Sequence, residues 1–396
     1  MKLRVSTIVF WAALMLPFLG ISGYGQDERL NHDLAKRVVR SASIKPGDVV
    51  VINGAIQMIP LMEAIAIEVQ MNGGKPNIFL ESDKVSRSFY KDVPDKYLEI
   101  EPRYFGEWMK HMDVFIGLPT IDDRKAVTSD IPTERRVKAA QASEFFIGMI
   151  NSLPVREVDI DFPTQSSADI AGMDLASYQK LMFAGINADY DAISAKGTKL
   201  QSILRSAKQI RVTTPAGTDI TFSMAQGRGV FLDDGIVTPQ EAKAATFTER
   251  YVLLPGGSVY FAPLETSANG KVVVPRASCR FSKPDKLSFD VNQGKRLNVN
   301  AGANSACYQT TWKAFTGQHD TFGAIWIGLN PELRVVENDK ANFRHTNIAG
   351  LISIGFGDNR QYGGSLSSVG GAGFELTNAT MTADGKTIIK DGKLVF

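Results

Sequence analysis

The sequence predicts an α/β plus α+β chain: an N-terminal doubly wound α/β domain followed by a strand-rich C-terminal domain. Three observations carry this. Between about residues 30 and 200, short apolar strands alternate with helical stretches, roughly one strand per 30–35 residues. Beyond about residue 207 the texture changes to short β-rich runs, dense in glycine, with few long helices. The chain has 396 residues, 44% of them hydrophobic, which is too much for one small core and suits two domains. The expected divisions are 1–25, 26–205 and 206–396.

The first stretch stands outside the fold. Lys2 and Arg4 precede the apolar run Ile8–Leu19, and the small-residue segment Ser22 to Gln26 follows. That is the layout of a signal peptide, with cleavage near Gly25 or Gln26. The apolar run is too short to span a bilayer, which takes about 20 residues. No cysteine near the cleavage site offers a lipid anchor. The expectation is an exported protein, periplasmic or secreted.

Leu34, Val38 and Val39 give His32–Ser43 a helical period, and Lys45 to Asp48 is a turn. Val49–Ile52 is a fully apolar strand, Met58–Met71 a helix stopped by Asn72-Gly-Gly74, and Asn77–Leu80 a second strand. Together they form a β-α-β unit with parallel pairing. A helix at Gly106–His111 leads to a third strand, Asp113–Gly117, and helices are expected over Thr133–Ile150 and Ser177–Ser194. In the second half, Gln209–Thr214 and Asp219–Phe222 flank a glycine-bearing turn and predict a hairpin. Further strands are expected at Gly257–Ala262, Gly270–Val274, Lys286–Val291 and Arg296–Asn300, with a pair Phe374–Ala383 and Thr387–Ile389. Ala306–Phe315 is the one helix expected there.

Charge excludes some partners. Without residues 1–25 the chain carries 42 basic and 42 acidic residues, and no basic cluster argues for nucleic acid. Glu134 to Lys138 is a solvated helix face. Cys279 and Cys307 can close a disulfide of modest loop length in an oxidising compartment, or stand as two separate buried thiols. Asn378-Ala-Thr380 matches a glycosylation acceptor, a short and weak motif.

Motifs for chemistry are sparse. The turn Ile52-Asn-Gly-Ala55 lies between strand and helix but lacks a phosphate-binding pattern. The four histidines, His32, His111, His319 and His345, are scattered without metal-ligand spacing. Ser258 has no histidine near it in sequence, and no nucleophile-elbow motif occurs. The acidic pairs Asp122-Asp123 and Asp233-Asp234 are adjacent, so on a strand they point to opposite faces. Glu265, Asp358 and Glu375 lie in the glycine-rich C-terminal region, where Asp358-Asn359 suits turn capping.

Several blocks, in order, resemble the thermophilic metallo-aminopeptidases, that is aminopeptidase T and its relatives. They are Thr213–Phe222, Gly227-Arg228, Asp233-Asp-Gly235, the Leu254-Pro-Gly-Gly257 block running to Gly270, Ile327–Pro331, Gly357-Asp-Asn359 and Thr380–Lys393. Ser43–Val51 and Met71–Pro76 fit the family's first domain. The resemblance implies a homodimer of two-metal exopeptidases, with carboxylates and imidazoles holding two divalent ions such as zinc or cobalt. It also implies a C-terminal domain that holds the metal site. The family's ligand positions fall on Ser258, Ala324, Ser353, Gly371 and Gly373, where the pattern calls for Glu, Glu, His, His and Asp. The first three are framed by matching residues on both sides, whereas the register around Gly363–Gly373 is open by a residue or two. With all five donors replaced, no metal cofactor is expected. The reading is a non-catalytic relative that retains a cleft for a peptide or small ligand. The alternative is an active aminopeptidase, or another hydrolase, with a rearranged polar site drawn from Glu265, His319, Asp320, His345 and Asp358.

Overall fold

The computed structural model describes residues 21–100, 103–141, 149, 152–279, 282–336 and 345–396. The core of the anticipated leader therefore lies outside the described residues. The first helix runs Ile21–Ser41 and includes the expected cleavage position. Among the described residues, no helix is long and apolar enough to cross a membrane.

The first half builds a parallel sheet. Its strands are β1 (Val49–Ala55), β2 (Lys75–Glu81), β3 (Val114–Gly117) and β4 (Arg156–Ile160), in the order β2-β1-β3-β4. The direction of winding reverses between β1 and β3, as in doubly wound folds. β1 is buried almost throughout because helices cover the sheet, which is why it reads as a continuous apolar run. The helix Ile59–Met71 buries Leu61, Met62, Ile65 and Val69 against it. A fifth parallel strand, Tyr251–Leu254, joins beside β4, so this sheet takes one strand from beyond residue 206.

Two helix expectations change. Ser177–Ser194 is two helices, Leu175–Ile186 and Tyr190–Ser206. The break has a capping cause: Asp189 leaves helical geometry, and its carboxylate accepts from the Ala192 amide at 3.0 Å. The helix at Thr133 is described as far as Gln141, and residues 142–148 of the expected span lie outside the described residues.

The second half builds two larger antiparallel sheets and a two-stranded one, besides the parallel strand just described. Its strands are β5 (Gln209–Thr213), β6 (Asp219–Ser223), β7 (Val230–Asp233), β8 (the Tyr251–Leu254 strand), β9 (Ser258–Phe261), β10 (Asn269–Ala277), β11 (Asp285–Asn292) and β12 (Lys295–Asn300). They continue as β13 (Thr316–Gly317), β14 (Phe322–Gly328), β15 (Ile352–Phe356), β16 (Ser368–Val369), β17 (Ala372–Leu376), β18 (Thr380–Ala383), β19 (Lys386–Lys390) and β20 (Lys393–Leu394). The larger sheet is β12-β11-β10-β6-β5-β18-β19-β20, and the smaller is β17-β15-β14-β9-β7. The predicted run Phe374–Ala383 divides between them. Asn378, at φ 52°, turns the chain out of β17 in one sheet and into β18 in the other. Aromatic rings fill the space between the sheets. Phe222 meets Phe322 at 5.2 Å, and Phe289 meets Phe374 at 5.1 Å and Phe356 at 5.4 Å. Burying each such ring stabilises the fold by roughly 1.5–3 kcal/mol.

The cysteines are joined. The Cys279–Cys307 disulfide, with Cα atoms 6.1 Å apart, ties the chain just past β10 to the helix Ser305–Ala314.

Candidate functional site

Alternation along strands decides which side chains of the smaller sheet face its core and which face outward. Val259, Phe261, Ile325, Ile327, Ile352, Ile354 and Phe374 pack inward and are fully or almost fully buried. The other face is a grid set by strand register. Its central row is Phe231, Tyr260, Trp326, Ser353 and Glu375. On one side lies the row Asp233, Ser258 and Gly328. On the other lies Ala324, Gly355 and Gly373. Four of the five expected ligand positions, Ser258, Ala324, Ser353 and Gly373, thus share one face on four adjacent strands. Gly371 immediately precedes β17.

Trp326 dominates that face. Its indole packs against Gly355: a Cβ there would sit 2.7 and 2.8 Å from two of its ring carbons. The ring therefore occupies the space over Gly355, which pairs with Ala324 on one side and Gly373 on the other. Tyr362 meets it edge-on at 5.8 Å and meets Tyr260 at 5.6 Å. Two cavities flank it. One, of about 410 Å³, is lined by Ser353, Gly371, Gly373, Phe374, Trp312 and Tyr308, among others. The second, of about 450 Å³, is lined by Ser258, Asp233, Tyr260, Tyr362 and Asn347, among others. Trp326 and Thr346 line both.

Burial holds several acids of this face toward their neutral forms, while the Glu375 carboxylate lines the cavity beside Ser353. Burial pushes Asp233 up to about 7, although the Gly235 and Leu253 amides donate to its two oxygens at 3.0 and 3.3 Å. It is thus largely protonated below neutral pH. Burial also pushes the Tyr362 phenol up to about 12 and the Tyr260 phenol well above its usual value, so both stay neutral donors. Ser353 is 3% exposed, and its Oγ has no hydrogen-bond partner.

The alternative polar set is dispersed among separate cations. Glu265 pairs with Arg228 at 2.9 Å and accepts from Asn359 Nδ2 at 3.1 Å and the Ser365 amide at 3.0 Å. Burial works to raise its pKa, but these partners win and hold it at about 2. Asp320 pairs with Lys295 at 2.9 Å, and burial lowers the pKa of the neighbouring His319. Asp358 is clamped by Arg360 and accepts from the Arg360 amide at 3.0 Å, the turn-capping role its sequence suggested. His345 begins a 3-10 turn, and its side chain lies outside the described residues. Asp122 and Asp123 belong to the first domain, where Asp123 caps a short helix by accepting from the Ala126 amide at 2.8 Å.

A sequence profile described as thermophilic metalloprotease (M29) matches residues 28–314. The chain belongs to the thermophilic metalloprotease (M29) family. The matched segment includes Ser258 and ends before β14. Two solved structures resemble the M29 chain over nearly its whole length. Wild-type AmpT from Thermus thermophilus matches with a TM-score of 0.70 and 14% identity, over 93% of this chain and 100% of that one. A 2,5-dihydroxypyridine dioxygenase from Pseudomonas putida KT2440 matches with a TM-score of 0.60 and 13% identity, over 93% and 97%. At such identities the likeness speaks for the fold alone. No curated protein matches the chain by sequence.

The residues present do not fit two divalent ions. The five positions offer two hydroxyls, one methyl and two bare glycines. Hard or borderline dications want carboxylates and imidazoles. Among the described residues, no group of three or more His, Cys, Asp or Glu is arranged to hold a metal. Gly371 is closed to any ligand side chain, since a Cβ would meet the Phe356 carbonyl oxygen at 2.6 Å. Gly373 is open, with nothing within 4 Å. Sequence reasoning missed Trp326. Its signal was the period of two: two residues beyond Ala324 on one strand, it had to share that residue's face.

Proposed function

We propose that this M29 chain is an exported, non-hydrolytic member of its family that uses the former metal cleft to bind a small ligand or peptide. The observation that carries this reading is Trp326, whose indole packs on Gly355, between Ala324 and Gly373, on the face where Ser258, Ala324, Ser353 and Gly373 stand in place of metal ligands. Peptide hydrolysis by two metals needs an activated water and two ions held a few ångströms apart. The expected ligand positions offer hydroxyl, methyl and bare glycine groups, which are not the carboxylate and imidazole donors two such ions need. The rearranged hydrolase loses ground because Glu265, Asp320 and Asp358 are each neutralised by a different cation. The homodimer implied by the family resemblance remains part of the proposal, as does export directed by residues 1–25.

The test is direct. Purified protein is soaked in Zn²⁺, Co²⁺ or Mn²⁺, desalted, and analysed by mass spectrometry for bound metal and by amine release from a peptide panel. The expected result is less than stoichiometric metal and no amino acid released. Two ions per chain together with peptide turnover would overturn the reading.

A further inference from the structure

We propose that the 410 Å³ cavity beside Trp326 binds a small, planar aromatic molecule carrying a hydrogen-bonding substituent. This rests on the reading of the cleft as a binding site, and it names the class of ligand. The volume lies in the range of small-molecule sites, about 300–1,000 Å³. The lining is rich in aromatic residues: Tyr308, Trp312 and Phe315 on one side and Trp326 on the sheet side. Tyr308 and Trp312 lie 4.9 Å apart, and Trp312 meets Phe374 edge-on at 6.5 Å. Flat aromatic ligands gain both area burial and ring–ring contact from such walls, the latter worth about 0.5–1.5 kcal/mol per pair.

One feature narrows the class. Ser353 and Ser278 line the cavity, and the buried hydroxyl of each has no hydrogen-bond partner. A buried hydroxyl left unpaired is costly, so a ligand bringing a donor or acceptor to Ser353 recovers that cost on binding. Glu375 also lines the cavity, beside Ser353 on the next strand, and gives it a second polar edge. The floor is left open by Gly373, where a side chain would meet nothing within 4 Å.

The experiment uses the purified protein and three probes: 4-hydroxybenzamide, indole and choline. Calorimetry and saturation-transfer NMR read binding. The expected result is binding of the two neutral aromatics but not of choline, with 4-hydroxybenzamide weakened about five-fold by Ser353→Ala, the loss of one hydrogen bond. Gly373→Val, which points a β-branched side chain into the cavity without a backbone clash, should abolish binding while near-ultraviolet dichroism stays native. Preferential binding of choline overturns the ligand class, and binding indifferent to Gly373→Val overturns the location. If the protein proves to be an active metallopeptidase yet still binds 4-hydroxybenzamide in a Gly373→Val-sensitive way, the non-hydrolytic reading fails and this site stands. If the protein is inert and neither aromatic binds at millimolar concentration, this site fails alone.

Discussion

Stability should fall as pH rises from 4 to 8, and Asp233 should be a principal cause. Its carboxyl is 3% exposed, and burial lifts it from an ordinary 3.8 to about 7. A folded pKa above the unfolded one means that the group's contribution is fully present below pH 4 and is lost as pH rises through 7. At ~1.4 kcal/mol per pK unit, the difference is worth about 4 kcal/mol. Other carboxyls titrate in the same window, so the comparison is with Asp233→Asn. That variant removes the titration while leaving one oxygen to accept from the Gly235 or Leu253 amide. Losing the other acceptor is a cost that does not vary with pH. Urea unfolding of both proteins, followed by tryptophan fluorescence at each pH from 4 to 8, gives two curves of stability. They should converge by about 4 kcal/mol, or cross, as pH rises. Curves that run parallel would refute the claim that Asp233 is buried uncharged in this pocket.

Two further outcomes follow from the same geometry. The Cys279–Cys307 disulfide spans 28 residues, so loop-closure entropy assigns it about 3.5 kcal/mol; paired Cys→Ser substitutions should lower the urea stability of the C-terminal sheets by that amount, and an unchanged midpoint would count against it. Restoring ligands by Ser258→Glu, Ala324→Glu, Ser353→His and Gly373→Asp together should bind Zn²⁺ only when Trp326→Gly is added; mass spectrometry showing metal with Trp326 intact would refute the indole as the obstacle.

Much of the fold was legible because local signals and tertiary placement agree. The apolar run at Val49–Ile52 and the turn at Pro215–Thr218 fix a buried parallel strand and a hairpin without help from distant contacts. The strand Tyr251–Leu254 was invisible for the opposite reason. It belongs to the first domain's sheet, and only a long-range parallel pairing with Glu157–Ile160 assigns it there. The single helix expected over Ser177–Ser194 fails at Asp189 because apolar period continues through a cap that local hydrogen bonding enforces. At the site, the motif frame singled out Ser258, Ala324 and Ser353, which share one sheet face, but what stands between them is a matter of register. Trp326 pairs with Ser353 and Tyr260 at once, and no spacing in the sequence reports a contact across three strands.

An active metallopeptidase caught without its ions would differ from this chain in a specific physical way. Carboxylates and imidazoles that converge on two ions crowd one another when the ions leave, and like charges then raise each other's pKa. The raised acid on this face, Asp233, owes its shift first to burial, with Asp234 and Glu241 as lesser contributors, and it is braced by two backbone amides. Around it the face is satisfied by ring contacts: Phe231 stacks on Tyr260 at 5.9 Å, and Tyr362 closes on both Tyr260 and Trp326. Among the described residues, no group of three or more His, Cys, Asp or Glu converges there to be neutralised by a metal. What is left unsatisfied is smaller and of another kind: buried hydroxyls at Ser353 and Ser278 facing aromatic walls. A metal would not relieve that deficit, but a flat molecule with one hydrogen-bonding edge would, as the proposed binding site requires.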